Sequence, residues 1–255
     1  MVAASRLGVA ILACTCTRPD AQAAPPTFDE IAPGLHHAPF ARIGDVEGAP
    51  VAAHVLRFSP KDFALRVVTS AQTGTQVADA ETFRSAASAL VATNGGFFDA
   101  ANVPLGLLVS EGREVSPLRK VDHGVFALVG GAASVRHASQ WQAKAPAEFA
   151  VECGPRLLVD GAVPHFRSAE PARRTAIAID GRGRVLLVVA IAAVSLDTLA
   201  KWIAAPVGQG GLGATQALNL DGGKSTMLAV RTPKAQWAVS SPVAVPVGIA
   251  VVARR

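Results

Sequence analysis

The chain has 255 residues, 50% hydrophobic and only 17% charged, which is enough apolar material for a full core and excludes a disordered protein. Three cysteines exclude a disulfide-rich scaffold and a zinc site of four cysteines. The net charge of +5 is carried by scattered residues, and there is no Tyr and only 3 Trp, so the sequence offers neither a basic block nor a stacking platform for nucleic acid.

Met1 to Ala23 reads as a secretory signal, with Arg6 as the positive start, Leu7 to Ala13 as the apolar stretch and Ala21-Gln22-Ala23 as the cleavage site. The expected organisation is a signal over residues 1–23 and one domain over 24–255, exported to the periplasm or beyond the cell. Ile11-Leu12-Ala13-Cys14 also resembles a lipoprotein cleavage box, which would place a lipid anchor on Cys14. Leu12 fits that box poorly, so soluble export is preferred. After a cut at Ala23, Cys153 is the one cysteine left, and a buried small hydrophobe is the expected role. No membrane span is expected, because the apolar run Val185 to Leu196 is too short to cross a bilayer as a helix.

In chain order, Val51 to Phe58 and Phe63 to Thr69 are β-rich, and Ser59-Pro60-Lys61-Asp62 predicts a turn that pairs them. Glu81 to Leu90 has helical spacing at Phe83, Ala86, Ala87 and Leu90, and the next strand ends at Asn94-Gly95-Gly96. Glu111-Gly112, Gly130-Gly131 and Asp160-Gly161 are turn pairs that suit hairpins. Ala176 to Ile179 and Arg184 to Ala190 flank Asp180-Gly181-Arg182-Gly183, predicting a central hairpin. Ser195 to Ala204 is a second helix with Ser195 as its N-cap. Val207 to Thr215 reads as a loop, Ala217 to Leu220 as a strand, and Val243 to Ala253 as a strand whose Pro242 and Pro246 mark an edge or bulge. The fold class expected is α+β, one domain of mainly antiparallel β-sheet with two main helices.

Two segments carry candidate chemistry. Asn94-Gly95-Gly96-Phe97-Phe98-Asp99 and Asn219-Leu220-Asp221-Gly222-Gly223-Lys224-Ser225 each follow an apolar strand with an Asn, an Asp and paired glycines. Glycine pairs let backbone approach a ligand, and successive N–H groups in such a turn can cradle an anion. The same pairs also serve as ordinary turns.

With its neighbours the pattern resembles the phosphodiester glycosidase family. The resemblance runs from about Val51 to Val252 through HVLRFSPKDFALRVV, ATNGGFF, PLGLLVSEG, HGVFALV, ECGPRLLVDG, RRTAIAIDGRGRVLLVV and ALNLDGGKSTML, in that order. It implies cleavage of a sugar-1-phosphodiester at the anomeric C–O bond. It further implies that Arg174 holds the phosphate as a bidentate donor and that Asp221 is the catalytic carboxylate, with Asn94 and Asn219 orienting sugar hydroxyls or holding Asp221. Gly95, Gly96, Gly222 and Gly223 would bring backbone N–H groups to the ligand, and Ser225 and Thr226 would add hydroxyls. Asp99 and Glu152 are second-rank carboxylates; the family more often has an uncharged polar residue at the Glu152 position. His123 is a candidate to contact substrate or transfer a proton, with a local structural bond as the alternative. Lys224 stands where the family usually has glycine, adding a positive charge beside the turn.

No cofactor or metal is called for: the six histidines show no H-x-x-E-H or H-x-H cluster. The expected partner is a carbohydrate phosphodiester or an envelope glycan. The rival readings are a non-catalytic glycan-binding module of the cell envelope and a metal-dependent phosphodiesterase.

Overall fold

A computed structural model describes residues 25–254 apart from 45, 47–49 and 143–145. The expected signal segment and Cys14 lie outside the described residues. The chain opens with β1 (Asp29–Ala32), β2 (Leu35–Phe40), β3 (Ala53–Phe58) and β4 (Phe63–Thr69), then α1 (Ala80–Ala86) and β5 (Val91–Asn94). Next come β6 (Leu108–Ser110), β7 (Arg113–Ser116), β8 (Gly124–Val129), β9 (Ala132–His137), β10 (Phe149–Cys153) and β11 (Arg156–Leu158). The last part holds β12 (Ala172–Asp180), β13 (Val185–Val194), α2 (Leu196–Ala204), β14 (Ala214–Asn219), β15 (Leu228–Arg231), β16 (Gln236–Val239) and β17 (Val247–Ala253).

The strands form three sheets: a 7-stranded one ordered β1-β2-β3-β13-β12-β14-β11, a 5-stranded one ordered β7-β6-β10-β8-β9, and a second 5-stranded one ordered β16-β15-β5-β17-β4. The large sheet is buried on both faces, and its alternating side chains serve two cores. Ile177, Ile179 and Leu187 face Phe126, Phe149, Leu228 and Ile249 of the two smaller sheets. Ala176, Ala178 and Val188 face Leu199, Ala200 and Ile203 of α2. The outer face of the third sheet, with Ala92, Ala229 and Ala250, is covered by Phe83 of α1. The layers are therefore helix, large sheet, the two smaller sheets and, over one of these, a second helix, as the mainly antiparallel reading expected.

Three expectations are corrected. β3 and β4 do not pair. β3 lies between β2 and β13, whereas β4 pairs with β17 in another sheet. The turn does form, with the Asp62 and Phe63 amides both 3.1 Å from the Ser59 carbonyl. It passes the chain from one sheet to the other and brings Phe58 and Phe63 together inside the same core, their rings T-shaped with centroids 5.6 Å apart. The first helix is only Ala80–Ala86: Asp79 caps it by accepting from the Thr82 amide at 2.8 Å, and Ser88 at φ 49° ends it, so Leu90 belongs to the exit. Finally, β17 is a central strand between β5 and β4, not an edge, because Pro242 and Pro246 precede its first paired residue and leave every amide of the strand free to pair. The pairs β1–β2 and β15–β16 were not expected from the sequence.

β2 and β3 also bring His37 Nε2 to 3.0 Å from His54 Nδ1, with Trp237 of β16 at 4.8 and 4.3 Å from the two rings. Burial lowers both histidines, and His54 falls to about 4, helped by its neighbour His37. Asp29 partly opposes this at His37. The unfolded chain protonates His54 near its ordinary value while the folded chain does not, so stability must fall as pH drops through that window. Urea denaturation is expected to show a loss of about 1–3 kcal/mol between about pH 7 and about pH 4.5. His54→Gln should make that loss smaller.

Candidate active site

Asn94 ends β5 and is fully buried. Its Nδ2 donates to the Asp221 carbonyl at 2.6 Å, and its Oδ1 accepts from the Thr175 hydroxyl at 2.8 Å and the Met227 amide at 3.3 Å. One side-chain amide thus ties β5 to β12, to the turn after β14 and to the entry of β15. Thr93 reinforces the junction by donating to the Met227 carbonyl at 2.6 Å. The sugar-contacting role expected for Asn94 has no free group in this arrangement; the holding role uses all of its polar atoms.

Asp221 stands in the turn so held. Its amide donates to the Gly95 carbonyl at 3.2 Å. Its carboxylate accepts from the Gly222 amide at 2.9 Å and from the Ser225 hydroxyl. Burial pushes the carboxyl above its ordinary value, and the Ser225 and Gly222 bonds oppose that rise. Gly222 is required by close approach: a Cβ there would lie 2.9 Å from the Arg173 carbonyl. Gly95 is similarly confined, since a Cβ would lie 2.6 Å from Val247 Cγ1. Gly223 adopts φ 60° with open space around it, and Thr226 is buried with its Oγ1 unpartnered. The Lys224 side chain is exposed, while its carbonyl accepts from Ser241.

Two arginines flank this turn. Arg174 has its Cδ 3.7 Å from a Cβ built on Gly222, so the side chain runs beside the Asp221 turn. Its Nε donates to the Val194 carbonyl at 3.2 Å and a terminal nitrogen to the Glu170 carbonyl at 2.6 Å. Of the five guanidinium hydrogens these leave three for a ligand. Burial lowers Arg174 from its ordinary value, and Glu170 raises it. Arg173 reaches the Thr226 carbonyl at 2.9 Å and the Ser240 carbonyl at 3.1 Å.

The remaining candidates divide. Asn219 is buried, donates to the Gly154 carbonyl at 2.9 Å and the Leu220 carbonyl at 2.7 Å, and keeps its Oδ1 unpartnered. It braces the Gly154 turn and makes no side-chain bond to the Asp221 carboxylate. A Cβ on Gly96 would lie 3.0 Å from the Glu152 carbonyl, so the first glycine pair reaches both Asp221 and Glu152. Glu152 is fully buried and accepts from the amides of Leu107 at 2.8 Å and Arg119 at 2.9 Å. His123 lies beside it, its ring 5.7 Å from that of Phe97. Asp99 is exposed and absorbed by its own turn, accepting from Ala101 and Val103 at 2.9 Å each. Cys153 is buried, and burial first, with Asp221 and Glu152 adding to it, drives its thiol far up, which removes it as a nucleophile.

Sequence reasoning missed Thr175 and Arg173. Thr175 had a signal: it precedes Ile177 and Ile179 in the inward alternation of β12, directly ahead of the apolar run Ala176 to Ile179. A groove of about 1090 Å³ lies elsewhere, lined by Arg66, Glu111, Glu148 and Arg254, and its charges pair with one another. Among the described residues no group of three His, Cys, Asp or Glu is placed to hold a metal, and no helix is long and apolar enough to cross a membrane.

A layered antiparallel fold with a glycine-flanked carboxylate turn between arginines is now defined. The same fold occurs in the catalytic domain of zebrafish N-acetylglucosamine-1-phosphodiester alpha-N-acetylglucosaminidase, auto-inhibited by its pro-peptide, with a TM-score of 0.68 and 16% identity over 90% of this chain and 87% of that one. A hypothetical protein from Synechocystis matches with a TM-score of 0.63 and 20% identity over 92% of this chain and 65% of that one. A Burkholderia pseudomallei protein described as exported gives 0.56 and 14%, over 82% of this chain and 75% of that one. No curated protein matches the chain by sequence. The phosphodiester glycosidase (NAGPA) family pattern matches residues 87–252, and the chain belongs to that family.

Asn94→Ala would leave the Asp221 carbonyl, the Thr175 hydroxyl and the Met227 amide without their partner inside the protein. Its expected cost is about 2–4 kcal/mol in urea unfolding, whereas Asp99→Ala on the exposed turn should cost under about 1 kcal/mol.

Proposed function

We propose that this protein is an exported hydrolase that breaks the anomeric C–O bond of a sugar-1-phosphodiester, releasing the sugar and leaving a phosphomonoester. The observation that carries the reading is the assembly of two distant glycine-flanked strand ends, through Asn94 and Asp221, into one turn with Arg174 beside it. A phosphate is a far better leaving group than a sugar alkoxide, since its second pKa is about 6. The site therefore has to stabilise the departing phosphate and the cationic sugar carbon rather than supply a strong acid.

In this reading the free hydrogens of Arg174 bind the phosphate, which takes the electron pair as the C–O bond breaks. Asp221 works ionised: its charge faces the developing cation, held by the Gly222 amide and the Ser225 hydroxyl. Its desolvation makes that charge count for more than it would in water. The exposed Lys224 adds a cation at the rim, suited to an anionic aglycone.

Hydrolysis in heavy-oxygen water is expected to place the label on the anomeric oxygen of the released sugar; label in the phosphate would overturn the mechanism. Asp221→Ala and Arg174→Ala should each lower kcat by about 10²–10³, the usual effect of removing one electrostatic group aimed at developing charge. No turnover of any sugar phosphodiester, with glycan binding retained, would favour the binding-module reading instead. For export, mass spectrometry of the extracytoplasmic fraction should find Ala24 as the first residue, and a lipid on Cys14 would defeat the soluble form.

A further inference from the structure

Glu152 and His123 present two buried polar atoms to each other. Glu152 Oε1 and His123 Nδ1 are both shielded from solvent, both lack a hydrogen-bond partner, and lie 3.8 Å apart. The other oxygen, Oε2, is fixed by the amides of Leu107 and Arg119. A Cβ on Gly106 would lie 3.0 Å from Oε2 and 3.1 Å from Cδ, so the backbone at Gly106 packs closely on the carboxyl group. The Glu152 side chain is 0% exposed and that of His123 is 23% exposed; because Nδ1 is buried, the ring meets solvent through its other atoms.

The pair adjoins the Asp221 turn. The His123 ring covers Gly154, whose carbonyl accepts from Asn219, two residues before Asp221. Gly96 packs on the Glu152 carbonyl while the Gly95 carbonyl accepts from the Asp221 amide. Tying Leu107 and Arg119 in place needs only Oε2, so the aim of Oε1 at an imidazole is left unexplained by a purely structural role.

We propose that Glu152 is a positioning residue that holds His123 with its proton on Nδ1, so that Nε2 accepts the proton of the water attacking the anomeric carbon. This rests on the phosphodiester reading above. As the water oxygen bonds to the anomeric carbon, the C–O bond breaks and its electron pair leaves on the phosphate. The water proton passes to Nε2. The imidazolium so formed is stabilised by Glu152 and returns the proton to solvent. Burial lowers His123 from its ordinary value, which keeps the ring neutral and able to accept. The charged groups facing it are Glu152 and Asp122, which raise it, and Arg119, which lowers it.

Glu152→Gln is the discriminating variant. Its carbonyl oxygen can keep the Leu107 and Arg119 amides, but its NH₂ would donate to Nδ1 and drive the proton onto Nε2. With a sugar-1-phosphodiester as the probe, kcat is expected to fall by about 10²-fold with KM little changed. Nitrogen NMR of the imidazole should report the Nδ1–H form in the native protein and the Nε2–H form in the variant, with the His123 titration moved to lower pH. His123→Gln, at a partly exposed position, should lose a similar factor in kcat. An active native enzyme whose Glu152→Gln or His123→Gln variant keeps native kcat and pH profile overturns the assignment. So does an Nε2–H ring in the native protein. A native protein that hydrolyses no sugar phosphodiester sinks the underlying functional reading, and the proton-accepting role with it.

Discussion

The buried amide of Asn94 is the constraint on which the rest of the site depends. It joins residues 127 positions apart in the chain by its bond to Asp221, and it sits where no water can replace a lost partner. A carboxamide suits this place because it offers donors and acceptors without charge. An aspartate would repel the Asp221 carbonyl, and a serine would be too short to serve both sides. The holding of Asp221 is thus a property of the junction between two sheets rather than of the Asp-Gly-Gly turn alone.

That junction exists because the large sheet is apolar on both faces. The inward-facing Ile177 and Ile179 of β12 belong to the core shared with the small sheets, and Thr175 interrupts the series where the Asn94 bond must be made. The polar centre is therefore continuous with the hydrophobic core, and the same alternation that buries the isoleucines aims the threonine. The arginines follow at the open end of the strand, where their long side chains reach out to backbone carbonyls.

Much of this was legible in the sequence, and the unread parts share a cause. The hairpin of β12 and β13, the cap of α2 at Ser195 and the two glycine-flanked strand ends are local patterns, and local patterns read directly. Pairing between sheets is not local. Nothing in Ser59-Pro60-Lys61-Asp62 distinguishes a hairpin turn from one that passes the chain to another sheet, since both use the same turn chemistry. The roles within the site split along the same line. Asp221 and Arg174 are named by their motifs, but Asn94 as a brace, Asp99 as a turn cap and Arg173 as a partner of the Thr226 carbonyl depend on what lies across the fold.

The place of β17 has a kinetic meaning. It fills the centre of the third sheet, pairing with β4 on one side and with β5 on the other, where Gly248 lies opposite Asn94. Its partners are synthesised far earlier, so this sheet cannot close until the chain through Ala253 has emerged. Closing so long a loop costs entropy before any contact repays it, which makes this the slow step expected of a fold rich in non-local pairings. The strand that carries Asn94 is left with an open flank until then, and the site waits on that pairing rather than on its own local turns.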